Sequence, residues 1–212
     1  MDEEALRRLV RRQVEAGIHG IAPLGVTGEN TLMDEKELLR VVEIIVEEAN
    51  GKTAVMPDIV CMRLDKSLDR VKKYADLGVD YIVSYTPYLI LPKPDALIDY
   101  YEKLADASPV PIILHSAKSR TGIELTPEMT AVLAKHPNIV ATKDGNKQLD
   151  HLAKVIHLTR DDDFDVFTGK DTTAYPTVAF GGSGSFTVAG NAIPKVMREM
   201  IDLAVAGKNE KA

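Results

Sequence analysis

The sequence has few of the features that mark secreted, membrane-embedded or nucleic-acid-binding proteins. Its single cysteine, Cys61, excludes a framework of disulfide bonds and fits a reducing compartment. No apolar run approaches the ~20 residues of a membrane span, and the acidic, amphipathic N-terminus does not resemble a signal peptide. The net charge of −6 comes without a basic stripe for nucleic acid. We therefore expect a cytoplasmic protein with neither nucleic-acid nor membrane partners.

Hydrophobic periodicity predicts a helix followed by seven strand–helix units in a single domain, residues 1–212. The predicted helices are 2–16, 34–49, 67–77, 95–107, 126–135, 147–159, 171–180 and 194–206. The predicted strands are 21–25, 53–58, 81–85, 111–115, 139–142, 165–168 and 183–188. These strands are short, apolar and unalternating, as in parallel sheets covered on both faces. The pattern favours a closed (β/α) barrel or an open doubly wound sheet.

Lys143 closes an apolar strand, where a parallel barrel would place it at the rim that forms active sites. An amine partly stripped of water there can lose its proton near neutral pH and attack a carbonyl. The alternative is an ordinary surface lysine just past a strand.

Three other strand ends carry polar groups that would share this rim. The Gly25–Glu29 loop offers backbone N–H groups and the Thr27 hydroxyl to a carboxylate or phosphate. His115 could move protons near pH 7, and Arg120 could grip a carboxylate with two hydrogen bonds. In the stretch Thr168-Gly169-Lys170, Lys170 could keep Lys143 unprotonated or bind an anionic tail. Each also has a plain structural explanation, as a turn, a hydrogen-bonded histidine, an ion pair or a solvated cation. Together they indicate a Schiff-base site for a 2-oxo acid.

The motifs resemble the dihydrodipicolinate synthase/N-acetylneuraminate lyase family of pyruvate-dependent class I aldolases. The resemblance covers nearly the whole chain and rests on motifs in the family's order: Gly25-Val26-Thr27-Gly28-Glu29, Thr86-Pro87-Tyr88, Ser119-Arg120-Thr121-Gly122, Ile139 to Lys143, and Gly181-Gly182-Ser183-Gly184.

This resemblance implies a TIM-type (β/α) barrel in which Lys143 forms an imine with pyruvate. It implies that Val26 and Thr27 bind the pyruvate carboxylate and that Arg120 meets the second substrate. With Tyr88, Gly169 and Lys170, these residues make up the expected substrate-binding set. His115 is the expected acid/base, and neither a metal nor a cofactor is expected.

Three positions depart from the family pattern. Val26 stands where a hydroxyl residue is usual, His115 where a tyrosine transfers protons, and Leu89 where the synthase branch has a second tyrosine. The leading hypothesis is a lyase or aldolase that makes or breaks C–C bonds of pyruvate or a related 2-oxo acid. One alternative is a non-catalytic descendant that binds a small carboxylate or serves as an assembly unit. A third hypothesis is a phosphate-binding barrel enzyme using Gly181–Gly184.

Two parts of the family architecture are expected to be absent, namely the first strand, before the helix at Asp2, and the C-terminal helical extension. An open barrel would leave strand edges near Ile21 and Phe186 unpaired, which favours aggregation. We therefore expect the gap to be filled by rearranged pairing or by a second chain. A truncated sequence would also explain the gap. The sequence thus predicts a homo-oligomer that could complete its barrel by strand exchange.

Overall fold

Short parallel strands form an incomplete barrel inside a ring of helices in the computed structural model, which describes residues 1–212. The strands are β1 (Gly20–Ile21), β2 (Ala54–Val55), β3 (Asp58–Ile59), β4 (Ile82–Tyr85), β5 (Ile112–Ser116), β6 (Ile139–Asp144), β7 (Asp165–Thr168) and β8 (Gly184–Ser185). The helices are α1 (Glu3–Glu15), α2 (Glu35–Ala49), α3 (Leu64–Asp76), α4 (Pro94–Ala107), α5 (Lys118–Thr121), α6 (Pro127–Leu133), α7 (Leu149–Thr159), α8 (Ala174–Ala179) and α9 (Pro194–Val205). None of these helices combines the length and the apolar character needed to cross a bilayer.

The sheet follows the order of the sequence. β1 pairs with β2, and β3 to β8 pair in succession, all in parallel. β2 and β3 are two halves of the single predicted strand 53–58. Pro57 lies between them and has no N–H to donate to the ladder, but its carbonyl accepts from Val83 N at 3.0 Å. The segment therefore joins β1 to β4, and seven strand positions surround the barrel.

The barrel is open between its two edge strands. β1 and β8 do not pair with each other, so rearranged pairing does not fill the expected gap. Closure by a second chain stays a prediction.

Side chains connect the two sides of this opening on the helical layer. Gln13 Nε2 donates to Asn191 Oδ1 at 3.0 Å, Arg12 donates to the carbonyl of Ala192, and Arg198 donates to that of Gly17. We call these contacts the α1–α9 seam.

Alternation along the strands divides the core into two layers. The larger layer lies between sheet and helices and includes Ile82, Ile112 and Leu114. The smaller layer, Val83, Ile113 and Ala141, points into the barrel. Residues two positions further along these strands also point inward, which is how the fold delivers side chains to the rim.

Two predicted strands were too long, and one short helix was not predicted. The predicted strand 21–25 ends at Ile21, because Pro23 lacks an N–H and Leu24 takes a left-handed φ of 64°. The predicted strand 183–188 is reduced to Gly184–Ser185, since Asp171 accepts from the backbone N–H groups of Val188 and Ala189 and draws the chain out of the sheet. The short helix α5 was not predicted at all.

Candidate active site

The carboxyl-terminal strand ends open into a cavity of about 1600 Å³ that continues into the open barrel. Seven of the eight predicted site residues line it. They are Val26, Thr27, His115, Arg120, Lys143, Gly169 and Lys170.

Lys143 lies one residue before the end of β6, in register with His115 on β5 and Phe167 on β7. Its side chain is 14% exposed, and its Nζ lies 3.8 Å from Asp58 Oδ2 and 5.2 Å from the centroid of the Phe186 ring. A Cβ at Gly169 would lie 3.5 Å from Lys143 Cε, so that glycine borders the lysine stem. The amine is therefore largely removed from water and faces both a carboxylate and an aromatic ring.

Asp58, the first residue of β3, is fully buried beside this amine. Its Oδ1 lies 2.9 Å from His115 Nδ1, where an imidazole N–H donates to a carboxylate. Its Oδ2 is buried and has no hydrogen-bond partner. Asp58 ends the predicted strand 53–58, a position from which a carboxylate could pair with a lysine, but no sequence pattern indicates that it contacts the histidine.

His115 is buried, and its ring lies against Tyr85, with ring centroids 3.8 Å apart. Burial is the main cause that lowers the pKa of His115, and the positive charge of Lys143 adds to it, while Asp58 acts in the opposite direction. A neutral imidazole is therefore favoured at neutral pH. Such a ring can accept a proton during a reaction.

Tyr85 is a site residue that the sequence reasoning missed. It ends β4 in register with His115, and burial and the negative charge of Asp58 raise the pKa of its phenol. The hydroxyl thus stays protonated. The signal that could have found it is its place at the end of a predicted strand, the same criterion that selected His115 and Lys143.

The loop after β1 brings Val26 and Thr27 to the mouth of the cavity. Residues Val26–Gly28 form a single 3₁₀ turn, and Glu29 closes it in a left-handed conformation with φ of 54°. Val26 is 45% exposed. An apolar side chain at this position leaves backbone N–H groups and the Thr27 hydroxyl as the donors that this loop can offer.

The two cations and Tyr88 are placed differently. Arg120 is exposed on α5, and Lys170 follows β7, where its N–H donates to Thr168 Oγ1 at 3.2 Å. Both line the main cavity, whereas Tyr88 lines a separate depression beside Met62 and Tyr100. The structure therefore does not bring Tyr88 together with Lys143 in this chain.

In the glycine-rich stretch Gly181–Gly184, backbone N–H groups are hydrogen-bonded to other parts of the fold. Gly182 N donates to Thr177 O at 2.8 Å and Ser183 N to Val166 O at 2.9 Å. A Cβ on Gly182 would lie 2.6 Å from Thr177 Cγ2, so close packing explains the glycine. These two N–H groups are not free to bind a phosphate.

Comparison with known proteins agrees with this architecture. A model of the dihydrodipicolinate synthetase family matches residues 1–212. The chain belongs to this family. Curated relatives include the 4-hydroxy-tetrahydrodipicolinate synthases of Methanospirillum hungatei, 35% identical, and Methanopyrus kandleri, 38% identical. The matches cover all of this chain but 72% and 71% of those proteins.

Solved structures give the same result. The dihydrodipicolinate synthase of Thermotoga maritima matches with a TM-score of 0.97 at 30% identity, and the match covers 100% of this chain and 72% of that one. The chloride-inhibited enzyme of Acinetobacter baumannii, solved with pyruvate, matches with a TM-score of 0.96 at 29% identity and with the same coverage. The predicted family and its TIM-type barrel are thus confirmed, as is the prediction that this chain is shorter than its relatives.

Proposed function

We propose that this protein is a lyase or aldolase that forms a lysine imine with pyruvate or a related 2-oxo acid. The observation that carries the proposal is the position of Lys143, an amine at a strand end, 14% exposed, within a cavity shared with His115. Family membership supports the same chemistry, because the relatives named above are synthases and one of them was solved with pyruvate.

In this mechanism the neutral amine of Lys143 attacks the keto carbon, and loss of water gives a protonated imine. The imine withdraws electrons from the neighbouring carbon, which stabilises the enamine left by C–C cleavage or by deprotonation. His115, neutral and buried, moves the proton at that carbon. Val26 and Thr27 hold the carboxylate of the 2-oxo acid through backbone N–H groups and the hydroxyl.

Arg120 and Lys170 select the second substrate. Both line the same cavity as Lys143, and two cations there favour an anionic or polyhydroxylated partner. Tyr88 and Leu89 lie after β4, and Tyr88 lies outside this cavity. We therefore give Tyr88 no part in binding within one chain.

Borohydride trapping tests the proposal. Protein mixed with pyruvate and reduced should gain the mass of one reduced pyruvate unit, on the peptide that contains Lys143. Lys143→Ala should remove the adduct. Lys170→Ala is the matched control, since it deletes a second lysine of the same cavity and should keep the adduct at saturating pyruvate. An unchanged mass of the parent protein would reject the mechanism.

A non-catalytic binding protein is the second candidate. The three departures from the family pattern, at Val26, His115 and Leu89, favour it. Saturable 2-oxo acid binding without a reducible imine would identify this function.

A homo-oligomer in which a second copy covers the gap is part of the proposal. It predicts a sedimentation mass above that of one chain.

A further inference from the structure

Asp58 is the one buried carboxylate in contact with both titratable groups of the proposed mechanism. Its side chain is fully buried, Oδ1 is bonded to His115, and Oδ2 faces Lys143 at 3.8 Å without a hydrogen bond of its own. A buried carboxylate oxygen without a donor is costly unless it has a charged or chemical role. The position of Oδ2 therefore calls for a functional explanation.

The titratable groups around Asp58 come from four elements. Lys143 lies on β6, His115 on β5 and Tyr85 on β4. Tyr74 of α3 is buried nearby, and its pKa is raised mainly by burial and, to a smaller degree, by the charge of Asp58. Both tyrosines keep their protons because burial raises their pKa values. Lys143 and His115 are therefore the two neighbours of Asp58 that are placed to act in proton transfer.

Space for the carboxylate comes from a glycine in the loop after β1. A Cβ on Gly25 would lie 2.8 Å from Asp58 Oδ2, closer than such contacts allow. The absence of a side chain at Gly25 thus lets Asp58 reach the amine. Strand β3 and the loop after β1 therefore pack closely against each other at Asp58 Oδ2.

Imine formation requires several proton transfers between the lysine nitrogen and the keto oxygen, and two of them need a separate acid or base. The resting ammonium must first lose a proton, because only the free amine can attack. The hydroxyl of the tetrahedral carbinolamine must later gain a proton, because it leaves as water. One group can carry out both steps. It accepts a proton from the ammonium, later donates a proton to the hydroxyl, and so returns to its starting protonation state.

Building on the proposed function, we propose that Asp58 is this base and acid. Oδ2 removes a proton from the Lys143 ammonium, and the free amine bonds to the keto carbon of the 2-oxo acid. A second proton leaves the nitrogen and neutralises the alkoxide. The Asp58 carboxylic acid then protonates the carbinolamine hydroxyl, the C–O bond breaks, water departs, and the nitrogen lone pair forms the C=N bond. His115 holds Oδ1 throughout, so that Oδ2 stays directed at the nitrogen.

The test is the rate of imine formation as a function of pH. Parent protein, Asp58→Asn and Asp144→Asn are mixed with pyruvate, quenched with borohydride at timed intervals and weighed by mass spectrometry. Asn keeps the size and can keep a hydrogen bond to His115, but it cannot accept the lysine proton. Asp144 is the matched control, a buried carboxylate on β6 that accepts from His151 at 2.9 Å instead of facing the amine.

We expect trapping by Asp58→Asn to be slower than in the parent by about 10² or more near pH 7, the range of a lost proton-transfer group. The deficit should shrink as the pH rises, since hydroxide then deprotonates the amine. Asp144→Asn should follow the parent profile. Equal rates for Asp58→Asn and parent across the pH range would overturn the assignment while leaving the proposed function intact. A parent protein that forms no adduct would instead reject the proposed function.

Folding is checked by circular dichroism of each variant. Should Asp58→Asn prove unfolded, Asp58→Ala assayed with added formate decides the question, because a small carboxylate can occupy the vacated site. Trapping that rises with formate concentration supports proton transfer by Asp58. Trapping that formate leaves unchanged in a folded Asp58→Ala protein overturns it.

Discussion

Replacing Gly25 by alanine should destabilise the protein through a single contact. The added Cβ would lie 2.8 Å from Asp58 Oδ2, whereas ordinary contacts begin at 3.4 Å. Either the loop or the carboxylate must therefore move, and a shift of about 0.6 Å (from 2.8 to 3.4 Å) would restore an ordinary contact. The backbone of Gly25 has φ of −71°, which alanine accepts, so the cost comes from the contact alone. Asp58 cannot move freely because Oδ1 is bonded to His115 at 2.9 Å.

Overpacking of this kind costs about 1–3 kcal/mol of unfolding free energy. The measurement is urea denaturation of Gly25→Ala, Asp58→Ala and the double variant, analysed as a double-mutant cycle. We expect the cost of Gly25→Ala to fall to nearly zero when Asp58 is already alanine. Gly28→Ala is the stability control, since nothing lies within 4 Å of its added Cβ. An equal cost of Gly25→Ala in both backgrounds would show that the added methyl group does not contact Asp58.

Three further predictions concern stability. The hydrogen bond to Asp144 raises the pKa of His151. The stability that this pair gives the folded protein is therefore fully present below the unfolded pKa of 6.5 and is lost as the pH rises through the folded value. In urea titrations, His151→Gln should therefore lose more unfolding free energy near pH 5.5 than near pH 8.5. Leu114→Ala empties a fully buried site and should cost about 2–5 kcal/mol, measured by the same titration. Asp34→Ala removes a capping box with Glu37 at the start of α2 and should cost about 1 kcal/mol, seen as a lower thermal midpoint.

The positions of the candidate residues that close regular strands could be predicted from the sequence. Lys143 and His115 follow runs of apolar residues, so their shared rim could be inferred from the parallel-barrel pattern alone. Gly169 and Lys170 were found by the same criterion. The roles of these residues stay predictions until the trapping experiment is done.

Contacts between distant segments could not be predicted in this way. Asp58 meets His115 across 57 residues of sequence, and no local pattern encodes which strand end a carboxylate will face. Tyr88 is the opposite case. It belongs to a motif that the chain shares with the family, but it lines a different depression from the one that contains Lys143. The end of β1 also depends on the left-handed φ angle of Leu24, and an apolar residue gives no sequence signal for that conformation.

The α1–α9 seam has a consequence for how this molecule opens. Elsewhere the barrel is closed by a backbone ladder, but here three side-chain hydrogen bonds, from Arg12, Gln13 and Arg198, take its place. Because each side-chain hydrogen bond contributes little net stability, this boundary should separate first during partial unfolding. Amide protons of α1 and α9 should then exchange with deuterium sooner than those of β5 and β6, and the cavity would be reached most easily through the flank where the two helices meet.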